Sequence, residues 1–327
     1  MTTIYLIRHA EAEGNLYRRM HGHTDGMITP CGMDQIRALA KRFEEIHVDA
    51  CYASDLIRTR TTAQAVYVPK GLPLHTDPRF REINVGVWED KLFGLLREEE
   101  PEAMRCFVQE PTNWQVEGSE PFMTYTGRFL EAMEEKAKKH DGEAIAIVTH
   151  SVVLQGVVMR LYPEQPLGLC PNTGVTKLEY ENGEYRLVYL YDGSHLEGIG
   201  GSIGLFKSPL WFIPGVSAVE GLEPPKADVT YTALAEKEPV GLITLDSVDE
   251  KTGRVSYFGL APQLRGKRMT AQLLGMAVWH FRAEGKEKIV IQRPENGCLD
   301  KLFAQMKLVP DETGLCTMDI RRRVIPL

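Results

Sequence analysis

The 327-residue chain predicts an α/β protein built of two units, and three observations carry that expectation. Two apolar, β-branched runs, residues 3–7 and 144–149, each end abruptly in a histidine. Amphipathic segments alternate with such runs through the first 195 residues, as expected for a sheet covered by helices. Beyond a Gly-rich stretch at 197–204 the pattern changes to strands in succession followed by a strand–turn–helix. We therefore expect a first domain at 1–195, a linker at 196–204 and a smaller α/β domain at 205–327. In open α/β sheets ligands bind beyond the C-terminal ends of the strands, where both histidines would emerge.

Residues 3–7 read as a buried central strand that delivers Arg8 and His9 into a crevice. The polar stretch 11–28 reads as a loop beside it. Thr29-Pro30 is an N-cap followed by proline at the first helical position. Ile36, Leu39, Ala40, Phe43 and Ile46 then give an amphipathic helix. Residues 48–53 predict a second strand, with Ser54 as the cap of the next helix and Arg58 one turn inside it. Helix N-termini present free N–H groups and partial positive charge, so Arg58 is well placed for a phosphate, whereas Arg60 reads as solvated. Glu82 lies in the apolar and aromatic segment 80–88. An acidic residue there is either half of a structural ion pair or a carboxyl whose pKa desolvation raises, and the second is what a general acid at neutral pH requires. Glu89 and Asp90 are expected at the surface. Helices follow over 95–107 and 122–138, then the strand 144–149 ending in His150-Ser151, a helix over 152–161, and two strands around Asn182-Gly183.

Composition narrows the function classes. Hydrophobic content of 43% with 25% charged residues is ordinary for a globular protein. A net charge of −7 argues against a general nucleic-acid binder, while leaving room for an anionic substrate held by a few arginines. No apolar run approaches the roughly 20 residues that span a bilayer, and no basic-then-apolar leader opens the chain. A cytoplasmic protein without membrane contact is expected. The six cysteines form no Cys-x-x-Cys pair, which favours reduced thiols over disulfides or a zinc site.

The motifs of the first domain, in order, resemble the histidine phosphatase superfamily with its phosphoglycerate-mutase-like, three-layer α/β/α fold. The family's Arg-His-Gly-Glu with a following Asn stands here as Arg8-His9-Ala10-Glu11 with Asn15. Its Gly-x-x-Asp stretch is Gly22-His23-Thr24-Asp25, and its Ser-x-Leu-x-Arg stretch is Ser54 to Arg58. Its Arg-Glu-Ile-x-x-Gly-x-Trp-Glu is Arg81 to Glu89, and the second histidine motif is His150-Ser151-Val152. Ala10, Ser151 and Val152 depart from the family's glycines and would narrow the pocket.

The resemblance implies that His9 is the nucleophile and Glu82 the acid. Arg8, Asn15, Arg58 and a protonated His150 would hold the phosphoryl group, with no metal. Residues 83–149 are short, as in the family's phosphatases, which favours hydrolysis of a small phosphorylated metabolite over phosphoglycerate-type mutase chemistry.

The second unit resembles the CoA-dependent N-acetyltransferases of the GNAT superfamily. Arg265, Gly266, Lys267, Arg268, Met269 and Thr270 occupy the turn that cradles a CoA pyrophosphate in that family. Arg268 and Thr270 stand where small residues are usual, and Phe303 where a tyrosine often acts as proton donor. Bound CoA or acetyl-CoA, a bifunctional enzyme and a phospho-ligand sensor or scaffold are the remaining alternatives. The basic run Arg321-Arg322-Arg323 reads as a solvated strand terminus.

Overall fold

The computed structural model describes residues 1–201, 209–264, 269–293 and 299–327. Its first sheet is built from β1 (Thr2–Arg8), β2 (Ala50–Ala53), β3 (Leu74–Thr76), β4 (Ala144–Thr149), β5 (Val175–Glu181) and β6 (Glu184–Asp192), in the order β3-β2-β4-β1-β5-β6. The first four in that order pair in parallel, whereas β5 pairs antiparallel with β1 and β6 antiparallel with β5. Helices α1 (Glu13–Tyr17), α2 (Pro30–Phe43), α3 (Ile57–Lys70), α4 (Phe93–Glu99), α5 (Pro101–Gln109), α6 (Phe122–Lys139) and α7 (Ser151–Leu161) connect the strands.

The strand period of two divides the core into layers. Ile4, Leu6, Ile145 and Ile147 pack with Phe129 and Val153 of α6 and α7, while Tyr5, Ile7, Ala146 and Val148 pack with Ile36, Leu39 and Val66 of α2 and α3. Both central strands are therefore apolar on both faces, which is why they read as continuous hydrophobic runs.

Several local expectations change. The loop 11–28 contains the short helix α1, and the strand expected at 48–53 starts at Ala50. The helix expected over 95–107 is two helices, because Pro101 cannot donate within a continuous helix and instead opens α5. Thr29 does cap α2, its hydroxyl accepting from the Gly32 N–H at 3.0 Å. Ser54 does not cap α3; Leu56 holds that position, and the Ser54 hydroxyl turns toward His150.

The second sheet comprises β7 (Trp211–Pro214), β8 (Val229–Ala235), β9 (Glu238–Ser247), β10 (Thr252–Leu260), β11 (Lys288–Gln292) and β12 (Leu315–Asp319), adjacent in the order β12-β11-β10-β9-β8-β7. Only β10 and β11 are parallel, and α8 (Thr270–Ala283) makes the crossover between them. Helix α9 (Asp300–Gln305) precedes β12.

The two units share a core. Leu16 and Tyr17 of α1 belong to the apolar cluster built around α8, with Leu273, Leu274 and Ala277. Gly275 permits that approach: a Cβ there would stand 2.4 Å from Tyr17 Cγ. Arg282 of α8 donates from both terminal nitrogens to the two carboxylate oxygens of Glu13, each at 2.8 Å. Gly275→Ala should thus cost about 1–3 kcal/mol through overpacking. A lowered Tm in thermal unfolding checks this; an unchanged Tm would mean that α1 and α8 do not pack closely in solution.

Candidate active site

Parallel pairing of β1 and β4 sets Arg8 beside Thr149, so the next residues, His9 and His150, leave the sheet side by side. Their ring centroids are 5.3 Å apart. The adjacent β2 brings Ser54 and, through α3, Arg58 to the same edge. His9, Arg58, Glu82 and His150 are all almost fully buried.

The partners of the two imidazoles fix their tautomers. His9 Nδ1 lies 2.7 Å from the Ala10 carbonyl, which can only accept, so Nδ1 carries hydrogen and Nε2 keeps its lone pair. Burial, then the nearby Arg58 and Arg8 guanidiniums, hold His9 well below the usual imidazole range, so it is neutral near pH 7. Arg58 Nε donates to His150 Nδ1 at 3.2 Å, leaving the His150 proton on Nε2, which donates to Ser54 Oγ at 3.0 Å. Burial followed by Arg58 also pushes His150 far down. The protonated His150 expected from sequence is therefore a neutral imidazole here; a phosphate dianion beside it would act in the opposite sense.

Glu82 sits over the start of α7. Its Oε1 accepts from Val153 N at 2.8 Å and Ile83 N at 3.2 Å, and Oε2 from Val152 N at 3.1 Å. Burial raises its pKa despite those donors, the direction required of an acid. Val152, where a glycine was expected by resemblance, contributes only its backbone N–H to this contact.

Arg8 and Arg58 remain charged guanidiniums although burial lowers both pKa values. Arg8 donates to the Cys170 carbonyl at 2.5 Å. Arg58 donates to the carbonyls of Gly22 and Thr24 at 2.7 and 2.9 Å, tying the 21–25 loop to α3. Asn15 Oδ1 accepts from Ala12 N at 3.0 Å and from Asn172 Nδ2 at 3.3 Å, which leaves the Asn15 amide nitrogen for a ligand.

Several supporting residues escaped the sequence reading. Arg128 donates to the carbonyls of Arg79, Arg81 and Glu82 at 2.7–2.9 Å, so it pins the segment that carries the acid. Its signal was a cation three residues after Tyr125 on the buried face of α6. Asn172 Nδ2 donates to the His9 carbonyl at 3.1 Å.

Glu89, expected at the surface, accepts from the backbone of His23, Thr24 and Val85. Those bonds outweigh its burial and keep its pKa low. Gly22 is required there, since a Cβ would stand 2.3 Å from Glu89 Oε1. Asp90 adopts φ +59° and faces Arg19 and His21 instead of solvent.

Of the residues expected to hold CoA, Arg265, Gly266, Lys267 and Arg268 lie outside the described residues. Met269 is buried and Thr270 opens α8. Among the described residues no group of three or more His, Cys, Asp or Glu side chains is placed to hold a metal ion, and no helix is long and apolar enough to cross a membrane.

Comparison with known proteins gives matches to the first sheet and its helices. The profile of the Histidine phosphatase superfamily (branch 1) matches residues 4–193. A metal-independent phosphoserine phosphatase of Arabidopsis thaliana is 29% identical over 206 residues, covering 61% of this chain and 85% of the relative. Phosphoserine phosphatase 1 of Hydrogenobacter thermophilus is 31% identical over 161 residues, 49% of this chain and 76% of the relative. Among solved structures, Bacillus stearothermophilus YhfR superposes with a TM-score of 0.57 at 33% identity, covering 60% of this chain and all (100%) of that one.

Proposed function

Because this chain belongs to the histidine phosphatase superfamily, we propose that it hydrolyses a small phosphomonoester, serine phosphate or a close relative, through a phosphohistidine on His9. It is a phosphatase by the names of its relatives and the mixed α/β fold it shares with them. One observation carries the assignment of roles: a neutral, buried His9 with its Nε2 lone pair free, beside a buried Glu82 whose pKa is raised.

In this reading Nε2 attacks phosphorus as the bond from phosphorus to the ester oxygen breaks. Glu82 gives its proton to the departing alkoxide. Water then attacks the phosphohistidine, Glu82 takes the proton back, and orthophosphate leaves with His9 restored. Splitting the displacement in two replaces one difficult step by two easier ones. Arg8, Arg58, Asn15 and His150 surround the equatorial oxygens, where phosphoryl transfer needs charge stabilisation. A relative named as metal-independent supports a reaction without a metal.

For the second unit we propose the 205–327 boundary and a GNAT-like plan, supported by a run of antiparallel strands followed by a parallel β10–α8–β11 crossover. Phe303 is buried among Leu302, Met306 and Ile291, so its position serves the core and not proton transfer. We favour a domain that completes the phosphatase by seating α1, the helix that carries Asn15, over one that transfers acetyl groups.

Orthophosphate release from serine phosphate and 3-phosphoglycerate, in EDTA, tests the reaction class. Release unaffected by the chelator, without formation of 2-phosphoglycerate, is the expected result. Interconversion of phosphoglycerates stimulated by a bisphosphate would overturn hydrolysis in favour of mutase chemistry.

A further inference from the structure

We infer that the cleft between the two units is a second anion site, separate from the phosphate pocket, for a small ligand bearing at least two oxyanion groups. The cleft has a volume of about 410 Å³, within the range of small-molecule sites. Five permanently charged cations line it against two carboxylates, in a chain whose net charge is −7. Arg19 comes from the loop after α1; Arg282 and Lys286 come from α8 and its end, Arg321 and Arg322 from the segment after β12.

Not all five are available. Arg282 is committed to Glu13 and to the Ile320 carbonyl, and Arg321 to Asp319. The other three retain donors. Arg19 lies with its guanidinium 5.0 Å from the Trp279 ring centroid, and its Nη1 donates to the Asp90 carbonyl at 2.5 Å and stands 3.6 Å from the Asp90 carboxylate. It is 8% exposed, and its Nε finds no acceptor among the described residues. A buried N–H of a charged group without an acceptor is costly, and an oxyanion would satisfy it. Lys286 Nζ donates to Ser247 Oγ and the Asp249 carbonyl, leaving its third proton. Arg322 is exposed and makes no ion pair among the described residues.

The same wall offers an apolar surface: Trp279 is 39% exposed and lines the cleft. Phosphate or carboxylate groups on a short carbon body fit this combination of separated cations and an indole face. The cleft also borders the catalytic loop. His21 lines it, and Asp25, which feels the Arg322 charge, lies 3.9 Å from Arg58. A ligand here would thus act on the loop that holds Arg58.

The test is calorimetric titration of inorganic pyrophosphate into the full-length protein with its phosphate pocket saturated by tungstate, using wild type, Arg322→Ala and Lys286→Ala. Pyrophosphate should bind the tungstate-loaded wild type, and each substitution should weaken it about tenfold, roughly 1.4 kcal/mol. Inhibition of 4-nitrophenyl phosphate hydrolysis by tungstate should be the same in all three proteins. Absence of pyrophosphate binding, its loss once tungstate is bound, or equal binding by the three proteins would overturn the inference. Failure of tungstate to inhibit the wild type would count against the phosphatase reading alone, since the Arg322→Ala comparison still reports on the cleft.

Discussion

His9→Ala is expected to lower phosphomonoester hydrolysis by at least about 10⁴-fold, the scale seen when a catalytic nucleophile is removed. No neighbour can take over. His150 is the nearest imidazole, but its Nδ1 accepts from Arg58 and its Nε2 is directed at Ser54. The carboxylate of Glu82 is held by three backbone N–H groups over α7. The variant should keep its fold, because the Ala10 carbonyl is the one hydrogen-bond partner of the His9 ring among the described residues. Steady-state rates and alkaline quench of labelled substrate check this: the wild type should yield an alkali-stable, acid-labile phosphoenzyme and the variant none. A variant retaining a tenth or more of wild-type activity would refute the covalent route.

Glu82→Gln should cost about 10²–10⁴-fold in kcat/KM for an alkyl phosphate, the range of general acid catalysis. With 4-nitrophenyl phosphate the loss should be much smaller, because nitrophenolate departs without a proton. The pH profile carries the same assignment. His9 must be neutral, and its depressed pKa sets an acid limb below the ordinary imidazole range. Glu82 must be protonated, so activity should fall as pH rises through its elevated pKa. For alkyl substrates that alkaline limb should disappear in Glu82→Gln. Equal losses on both leaving groups, with the limb retained, would assign the acid to another residue.

Local pattern determined much of this molecule. Unbroken apolar runs identified β1 and β4 because a strand covered on both faces has no polar alternation, and each run stopped at a histidine. Thr29-Pro30 announced α2 because a side-chain cap and a fixed φ act within one turn. His9 and His150 directly follow strands and Arg58 lies in the first turn of a helix, whereas Glu82 stood out as a carboxyl inside an apolar segment; the structure brings all four together.

Other roles had no local signature. Ser54 precedes a helix and reads as a cap, yet proximity to His150, 96 residues away, redirects its hydroxyl. Glu89 reads as a surface carboxylate until the 21–25 loop folds back onto it. Arg321, Arg322 and Arg323 are exposed, but nothing local foretells that Gln64 of α3 bonds both the Ile325 carbonyl and the Leu327 N–H just beyond them, laying that segment along the first unit. Glu13 and Arg282 are separated by 269 positions.

The sequence by itself determined most of the elements and their order, because periodicity, caps and turns are short-range effects, and its motifs pointed by family resemblance to the residues proposed to handle phosphate. Tertiary structure alone decided which charges are buried, which histidine nitrogen carries the proton, and how α8 and α1 form one core with a cationic cleft beside it. A polar side chain has the same local pattern whether it ends in water or against a partner, and only the folded chain supplies that partner.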